Sequence, residues 1–261
     1  MNEYSHQKIT ELVLKNSFSD RFSNEEIKEI LKGVILPDKD ENQNGYTYHF
    51  YNPVTNANYL GNELHAKAKC VYHFGEYYKT KDLVELGRAI HFLEDICTPV
   101  HTQYEDTSDS ILKLKLHLDF EKDLDLYLKN FITGNIKSLK NDKGSLSEFI
   151  NNIALNSARN YYIYKKYGKE SDALIETINL SYDSIFCFIN KYVDENQIEE
   201  VKKIESKGNV VGIAIKEKNN SLNVETINPN YKLRLNNKEL LIFKKGGTLK
   251  NYELEEIIQI E

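Results

Sequence analysis

Apolar residues recur every three or four positions along most of the first 200 residues, which is the spacing of one face of an α-helix. Ser23 and Ser145 are suited to cap helices, the second within a capping box, and Gly33 is a typical helix stop. The pattern predicts helices over residues 4–18, 23–33, 62–78, 81–96, 110–131, 145–164 and 172–193. Residues 1–200 are therefore expected to form a multi-helix bundle, and the fold class is mainly α.

The periodicity changes from about residue 207 to the end of the chain. Short β-prone runs are separated by turn-forming pairs such as Asn236-Asn237 and Gly246-Gly247. The runs are residues 210–215, 222–227, 231–235, 240–243 and 254–260. We expect a small β-rich module over residues 207–261. The sequence does not show whether this module is a lid, a surface that binds a partner or a structural appendage.

One stretch of the chain concentrates side chains that can bind a metal ion. His91 and Asp95 are four residues apart, His117 and Glu121 are again four apart, and His101 lies between the pairs, just after a proline. Residues four apart share one face of a helix, so each pair can close on one ion. A single such pair is usually a surface contact, but two pairs with a fifth candidate between them predict a metal site. Imidazole and carboxylate together suit zinc.

The sequence around these residues resembles a known family. The segment H-F-L-E-D-I-C-T-P-V-H, followed by H-x-x-x-E and preceded by H-F-Y-N-P, is similar to the zinc-dependent phospholipase C family, which includes bacterial phosphatidylcholine-cleaving enzymes and clostridial alpha-toxins. Single-strand-specific zinc nucleases are a related branch. Glu121 and the short gap between His101 and His117 favour the phospholipase branch. The resemblance implies a helical catalytic bundle of the zinc phospholipase C type.

The resemblance also assigns zinc ligands. One zinc would be held by His49, His91 and Asp95. A second would be held by His101, His117 and Glu121. A third would use His6, the chain's amino terminus at Met1 and a second oxygen of Asp95. Because the family's mature chains begin with Trp and this chain begins Met-Asn-Glu, two zinc ions are expected and the third site stays open.

The remaining site residues also come from the resemblance. Asp38 stands where the family has a general base or an orienter of the attacking water, with Asp40 as a nearby rival in the same loop. Tyr46 and Phe50 match aromatic positions that line the family's head-group pocket, where a quaternary ammonium can bind by cation–π attraction. Packing of the loop onto the core is an equal alternative for both aromatic residues. His65 and His73 are given no role by the resemblance and are interpreted as structural.

The composition of the 261-residue chain limits the kinds of partner that it can be expected to bind. The formal net charge is -6, so the basic surface typical of nucleic-acid-binding proteins is absent and nucleic acid is not the expected partner. The three cysteines lie in apolar helical segments and are interpreted as small buried hydrophobes. No stable protein partner is predicted, and contact with a membrane surface would follow from a lipid substrate. No signal-peptide h-region is present, whereas the resemblance implies secretion, so a secreted and a cytoplasmic location are both open.

Together with the clustered ligands, the resemblance implies a zinc-dependent phosphodiester hydrolase. A phospholipase C would cleave a phospholipid to diacylglycerol and a phosphorylated head group through metal-activated water. Two alternatives remain: a zinc phosphodiesterase or nuclease with another substrate, and a non-catalytic helical scaffold with a structural metal cluster.

Overall fold

The structure is a computed structural model that describes residues 1–40, 46–102, 110–129, 144–194, 197–246 and 252–260, with backbone alone for residues 40, 46 and 110–113. The α-helices in these ranges are α1 (Glu3–Ser17), α2 (Asn24–Asp40), α3 (Ala66–Thr80), α4 (Leu83–Cys97), α5 (Pro99–Thr102), α6 (Ser110–Lys129), α7 (Leu146–Tyr167) and α8 (Ala173–Phe188). Short 3-10 helices span Tyr46–His49 and Gly168–Glu170, and a π-helical turn, Ile189–Asp194, follows α8. The predicted mainly α class is confirmed.

Helix α4 is the central helix of the bundle. It packs against α1, α2, α3, α7 and α8. Ile90, Phe92, Leu93 and Ile96 are fully buried, and so are the polar side chains of the same helix near its carboxyl end. A helix that is buried all round places its polar residues inside the protein, where they need partners.

Two glycines let α2 and α4 approach closely. A Cβ atom on Gly33 would lie 2.1 Å from the carbonyl oxygen of Val84, and one on Gly87 would lie 2.1 Å from the carbonyl oxygen of Ile30. The prediction that Gly33 ends its helix is therefore wrong: the glycine allows helix contact, and α2 continues through Pro37. As a result Asp38 lies in the last turn of α2 and not in a loop.

Capping residues set the starts of three helices. Ser23 accepts a hydrogen bond from the backbone of Glu26, and Ser145 forms the predicted capping box with Glu148. Helix α3 begins later than predicted, because His65 is its N-cap and accepts a hydrogen bond from the backbone N–H of Ala68 at 3.1 Å. A side-chain acceptor at this position satisfies one of the free N–H groups of the first turn.

The carboxyl-terminal region forms two three-stranded antiparallel sheets. The first has the order β1-β2-β3 and the second β4-β5-β6. The strands are β1 (Ile198–Ser206), β2 (Asn209–Glu217), β3 (Leu222–Thr226), β4 (Tyr231–Asn236), β5 (Glu239–Lys245) and β6 (Tyr252–Gln259). Strand β1 was not predicted. Its buried apolar residues are three apart for two reasons. A register shift after Ile198 brings Ile198 and Val201 to the core of the helical bundle, and Ile204 faces the opposite way, into the core between the two sheets.

Strand β2 is buried between the helices and the second sheet. Ile213 and Ile215 belong to the core of the helical bundle, whereas Ala214 packs in a smaller core between the two sheets. Alternation along the strand sends successive side chains to opposite faces, so the first sheet is the middle layer of three. No helix in the described ranges has the length and apolar content required to cross a bilayer.

Ion pairs also join the sheets to the helices. Lys67 of α3 and Glu225 of β3 are both buried, with Nζ 3.1 Å from Oε1. Glu63, just before α3, pairs with Lys232 at 2.8 Å and with Arg234 on the same strand, β4. The β region thus contacts the segment that connects the 3-10 helix at His49 to α3.

Candidate metal centre

Asp95 lies at the middle of a buried cluster of histidines and carboxylates. Its Oδ2 atom is 2.7 Å from Nδ1 of His49 and 3.2 Å from Nε2 of His91. Its Oδ1 atom is 3.0 Å from Nδ1 of His101. Burial alone would raise the pKa of this carboxyl group, but the surrounding histidines and the chain's amino terminus hold it well below its usual range. Asp95 is therefore a carboxylate with both oxygens directed at nitrogen atoms.

His91 presents one ring nitrogen to this cluster. Its Nδ1 lies 2.7 Å from the carbonyl oxygen of Val34 in α2, so Nδ1 donates its hydrogen there and Nε2 carries the lone pair. Burial, followed by the nearby His6, lowers the pKa of His91 to about 4. A neutral imidazole with a fixed tautomer is the form that binds a metal ion.

The second predicted group also comes together. Nε2 of His117 lies 3.1 Å from Oε1 of Glu121, one turn further along α6, and Nε2 of His101 lies 3.8 Å from the same oxygen. The rings of His101 and His117 stack with centroids 4.8 Å apart. One residue of α5 and two residues of α6 thus lie together next to Asp95.

Phe50 supports this second group. Its ring stacks on His101 with centroids 5.0 Å apart and is tilted against His117 at 5.9 Å. The predicted head-group residue therefore contacts two candidate ligands. The side chain of Tyr46, the other predicted head-group residue, lies outside the described part of the structure.

The amino terminus enters the cluster beside Asp95. The Met1 amine lies 3.2 Å from Oδ1 of Asp95 and 3.4 Å from Oε1 of Glu121. Burial alone would lower the pKa of this amine, but the two carboxylates raise it to about 10. The amine is accordingly a cation between two carboxylates, in a position where the surrounding charges also favour a metal ion.

His6 approaches Asp95 from α1. Its Nε2 lies 3.4 Å from Oδ1 of Asp95, and its Nδ1 lies 2.8 Å from Oε2 of Glu94. Burial alone would lower the pKa of His6, but Glu94 and Asp95 raise it to about 9 in the absence of a metal ion. His6, Glu94 and Asp95 are all fully buried.

Asp38 lies at the solvent-facing side of the cluster. Its Oδ1 is 3.7 Å from Nε2 of His91 and 3.8 Å from Nδ1 of His49. Its side chain is 34% exposed, whereas that of His91 is fully buried. Asp38 is thus close enough to act with the metal-binding residues and can also contact water. The rival Asp40 has no described side chain.

The arrangement fits divalent metal ions. Three sets of three side chains could each hold a metal ion. Within a set, every residue offers one ligand atom, and these atoms lie within 4.8 Å of one another. The sets are His6, Asp38 and His91; His49, His91 and Asp95; and His101, His117 and Glu121. The first two sets compete for Nε2 of His91. Among the described residues, Nε2 of His6 and Nε2 of His101 are buried without a hydrogen-bond partner and could bind a metal ion; Nε2 of His65 and Nε2 of His73, outside the cluster, are also unpartnered, so this feature supports a metal site only together with the nearby carboxylates. Imidazole with carboxylate is a typical zinc ligand set.

Sequence comparison then decides the family. A family model described as zinc dependent phospholipase C matches residues 5–185. The chain belongs to this family. The match begins next to His6 and extends beyond Glu121, so it includes nearly every residue of the candidate centre. A comparison with curated proteins finds no match.

Two solved structures are similar in fold to this zinc-dependent phospholipase C family member. Alpha toxin from Clostridium absonum has a TM-score of 0.55 and 16% identity, with 100% of this chain and 95% of that chain covered. Alpha-toxin from an avian strain of Clostridium perfringens has a TM-score of 0.51 and 15% identity, with 99% and 95% covered. At this identity the likeness concerns the fold alone, and the match to the family model is what confirms the resemblance read from the sequence.

In this family member the structure brings together all the candidate ligands predicted from the sequence: Met1, His6, His49, His91, Asp95, His101, His117 and Glu121. Sequence reasoning missed Glu94 and Thr10, which contact His6 or its partner, and the carbonyl group of Val34. Glu94 is adjacent to Asp95, and a buried acid in an apolar helix could have been noted as a group that needs a partner. His65 and His73 lie outside the cluster and bond to Ala68 and Glu85.

Proposed function

We propose that this protein is a phospholipase C that hydrolyses a phospholipid to diacylglycerol and a phosphorylated head group. The observation that supports the proposal most strongly is the position of Asp95, whose two oxygens face two groups of histidines in one buried cluster. Asp38 lies at the exposed edge of that cluster. The whole arrangement occurs within the part of the chain that matches the zinc-dependent phospholipase C family.

Zinc would be held by two sets of residues. These are His49, His91 and Asp95, and His101, His117 and Glu121. When bound, zinc stabilises negative charge on a phosphoryl group and lowers the pKa of water to about 7. The protein supplies fixed tautomers and orientations for the ligands, as the bond from His91 to the carbonyl oxygen of Val34 illustrates.

Asp38 is the proposed general base. A water molecule at the exposed side of the cluster would donate a proton to its carboxylate while the water oxygen forms a bond to phosphorus. The bond between phosphorus and the glycerol oxygen then breaks, and the departing oxygen takes a proton from solvent. The 34% exposure of Asp38 allows water to reach it, and its distances of 3.8 Å from His49 and 3.7 Å from His91 support a role beside the metal-binding residues.

A direct test compares metal content with hydrolysis of two substrates. Purified protein is assayed for zinc and for hydrolysis of a chromogenic phosphocholine ester and of single-stranded DNA. We expect bound zinc and cleavage of the phosphocholine ester. Cleavage of DNA alone would support a nuclease, and zinc-loaded protein that cleaves neither substrate would support a structural metal cluster.

A further inference from the structure

Glu94 is a buried acid beside the metal centre to which the proposed mechanism gives no role. It is fully buried on α4, next to Asp95. Its Oε2 lies 2.8 Å from Nδ1 of His6, and its Oε1 accepts a hydrogen bond from the hydroxyl group of Thr10 at 3.2 Å. His6 and Thr10 are one turn apart on α1, so both oxygens of Glu94 are held by the same face of that helix.

We infer that Glu94 is a positioning residue that makes His6 the ligand of a further metal ion beside Asp95, in addition to the two zinc sets of the proposed function, on whose metal centre the inference rests. A carboxylate at Nδ1 requires that nitrogen to carry its hydrogen, so the lone pair of the neutral ring is placed on Nε2. That nitrogen lies 3.4 Å from Oδ1 of Asp95 and has no hydrogen-bond partner among the described residues. Glu94 therefore directs the free nitrogen of His6 towards the cluster.

A second glutamate of α4, Glu85, bonds to a histidine of another helix, and the comparison shows why the environment matters. Nδ1 of His73 lies 2.7 Å from Oε2 of Glu85, a geometry close to that of His6 and Glu94. Nevertheless, His73 belongs to none of the possible metal-binding groups found among the described residues, whereas His6 does. Glu85 is thus a matched control for Glu94: it makes the same kind of bond on the same helix but faces no metal centre.

The test measures zinc affinity by competition with a chelator, without any activity assay. The Glu94→Leu variant removes the acceptor at Nδ1, and we expect the ion bound by His6 to lose about 10–100-fold in affinity, as is usual when an outer partner of a ligand is removed. Glu94→Gln keeps an acceptor oxygen and should retain most of the affinity. Thr10→Val removes the hydrogen bond to Oε1 of Glu94, so it should also reduce zinc affinity, by a smaller factor than Glu94→Leu.

A double-mutant cycle separates positioning from general stability. If Glu94 acts through His6, then Glu94→Leu in a His6→Ala background will cause no further loss of zinc affinity. Glu85→Leu should leave zinc affinity unchanged. The inference would be overturned if Glu94→Leu left zinc affinity unchanged. It would also be overturned if Glu94→Leu reduced zinc affinity by the same factor in the wild-type protein and in the His6→Ala variant. Absence of zinc from the wild-type protein would instead contradict the proposed function, so the two failures are distinguishable. If Glu94→Leu does not fold, Thr10→Val takes its place in the cycle, and its loss of affinity should likewise disappear in the His6→Ala background.

Discussion

At the scale of single residues, Asp95 is the side chain that joins the two halves of the metal centre. In an Asp95→Asn variant, an amide nitrogen replaces one of the two carboxylate oxygens, and the negative charge is lost. We expect zinc loss and a fall in turnover of at least about 100-fold, because Asp95 would bind the metal directly and even an outer hydrogen-bond partner of a ligand typically contributes about 10–100-fold. Metal analysis and hydrolysis of the phosphocholine ester measure both effects.

Asp82→Asn is the matched control for this variant. Asp82 caps the same helix through a bond to the backbone of Val84, and asparagine caps helices about as well. Zinc content and turnover should therefore remain at wild-type values. Full activity in Asp95→Asn would contradict the proposed centre.

His65 gives the protein a titration that is separate from the metal ligands. Burial lowers its pKa to about 3, whereas an unfolded chain has a histidine pKa of about 6.5. Below pH 6.5 the unfolded state therefore binds a proton that the folded state does not. This residue stabilises the fold fully above pH 6.5, and its contribution falls by up to about 1.4 kcal/mol per pH unit as the pH drops towards 3.

The His65→Asn variant isolates this effect, because asparagine also caps a helix but does not titrate in this range. Chemical denaturation at pH 7 and pH 5 measures the free energy of unfolding of both proteins. We expect the wild-type protein to lose more stability than the variant between these two values. Equal losses in both proteins would show that His65 is protonated in the folded state.

Much of the metal centre could be predicted from the amino-acid sequence. The two pairs four positions apart, His91 with Asp95 and His117 with Glu121, can be recognised from helical geometry. Glu94 could not be assigned in the same way, because its partner is on α1 and the sequence does not show which helices touch. Similarly, the bond from His91 to Val34 depends on how closely two helices approach.

At the scale of elements, the contact between α2 and α4 fixes that approach. Gly33→Ala places a methyl group 2.1 Å from a backbone oxygen of α4 if nothing moves. Alanine favours a helix over glycine by about 1 kcal/mol, but the forced separation should cost about 1–3 kcal/mol or more. We expect net destabilisation and weaker zinc binding, since the carbonyl oxygen of Val34 would move away from His91.

Lys32→Ala is the control in the same helix. Lys32 is exposed, and its substitution should change the free energy of unfolding by no more than about 0.5 kcal/mol. Thermal denaturation and zinc competition compare the two variants. A more stable Gly33→Ala protein with normal zinc affinity would show that α2 and α4 can separate without cost.

The order of helices followed from sequence periodicity, and the errors have physical causes. The predicted end of helix α2 was too early, because the sequence does not distinguish a glycine within a helix from a glycine at the end of one. Strand β1 was missed because one register shift and burial on both faces of the strand give its buried apolar residues a spacing of three, which suits neither regular alternation nor a long helix. Both errors involve contacts with distant parts of the chain.

At the scale of the whole molecule, the buried ion pair of Lys67 and Glu225 links the helical bundle to the first sheet. Lys67→Met leaves a buried carboxylate unpaired, and we expect a loss of about 3–5 kcal/mol in the free energy of unfolding. The double variant Lys67→Met with Glu225→Leu should recover most of this loss.

Lys216→Met provides the comparison on the surface. Lys216 pairs with Glu199 at 3.0 Å in an exposed position, where an ion pair contributes no more than about 1 kcal/mol. Denaturant titration of the three variants and the wild-type protein measures all four values. A Lys67→Met protein as stable as Lys216→Met would show that the β region contributes little to the stability of the bundle.

The candidate ligands are far apart along the chain, from Met1 to Glu121, and lie on helices that must all be packed before the ligands meet. Such a centre is absent until folding is nearly complete, so zinc should slow unfolding and leave the refolding rate almost unchanged. Stopped-flow measurements with and without a chelator can show this difference. The ion would then govern how long a native molecule survives, and its removal would shorten the lifetime of a protein that still refolds at its ordinary speed.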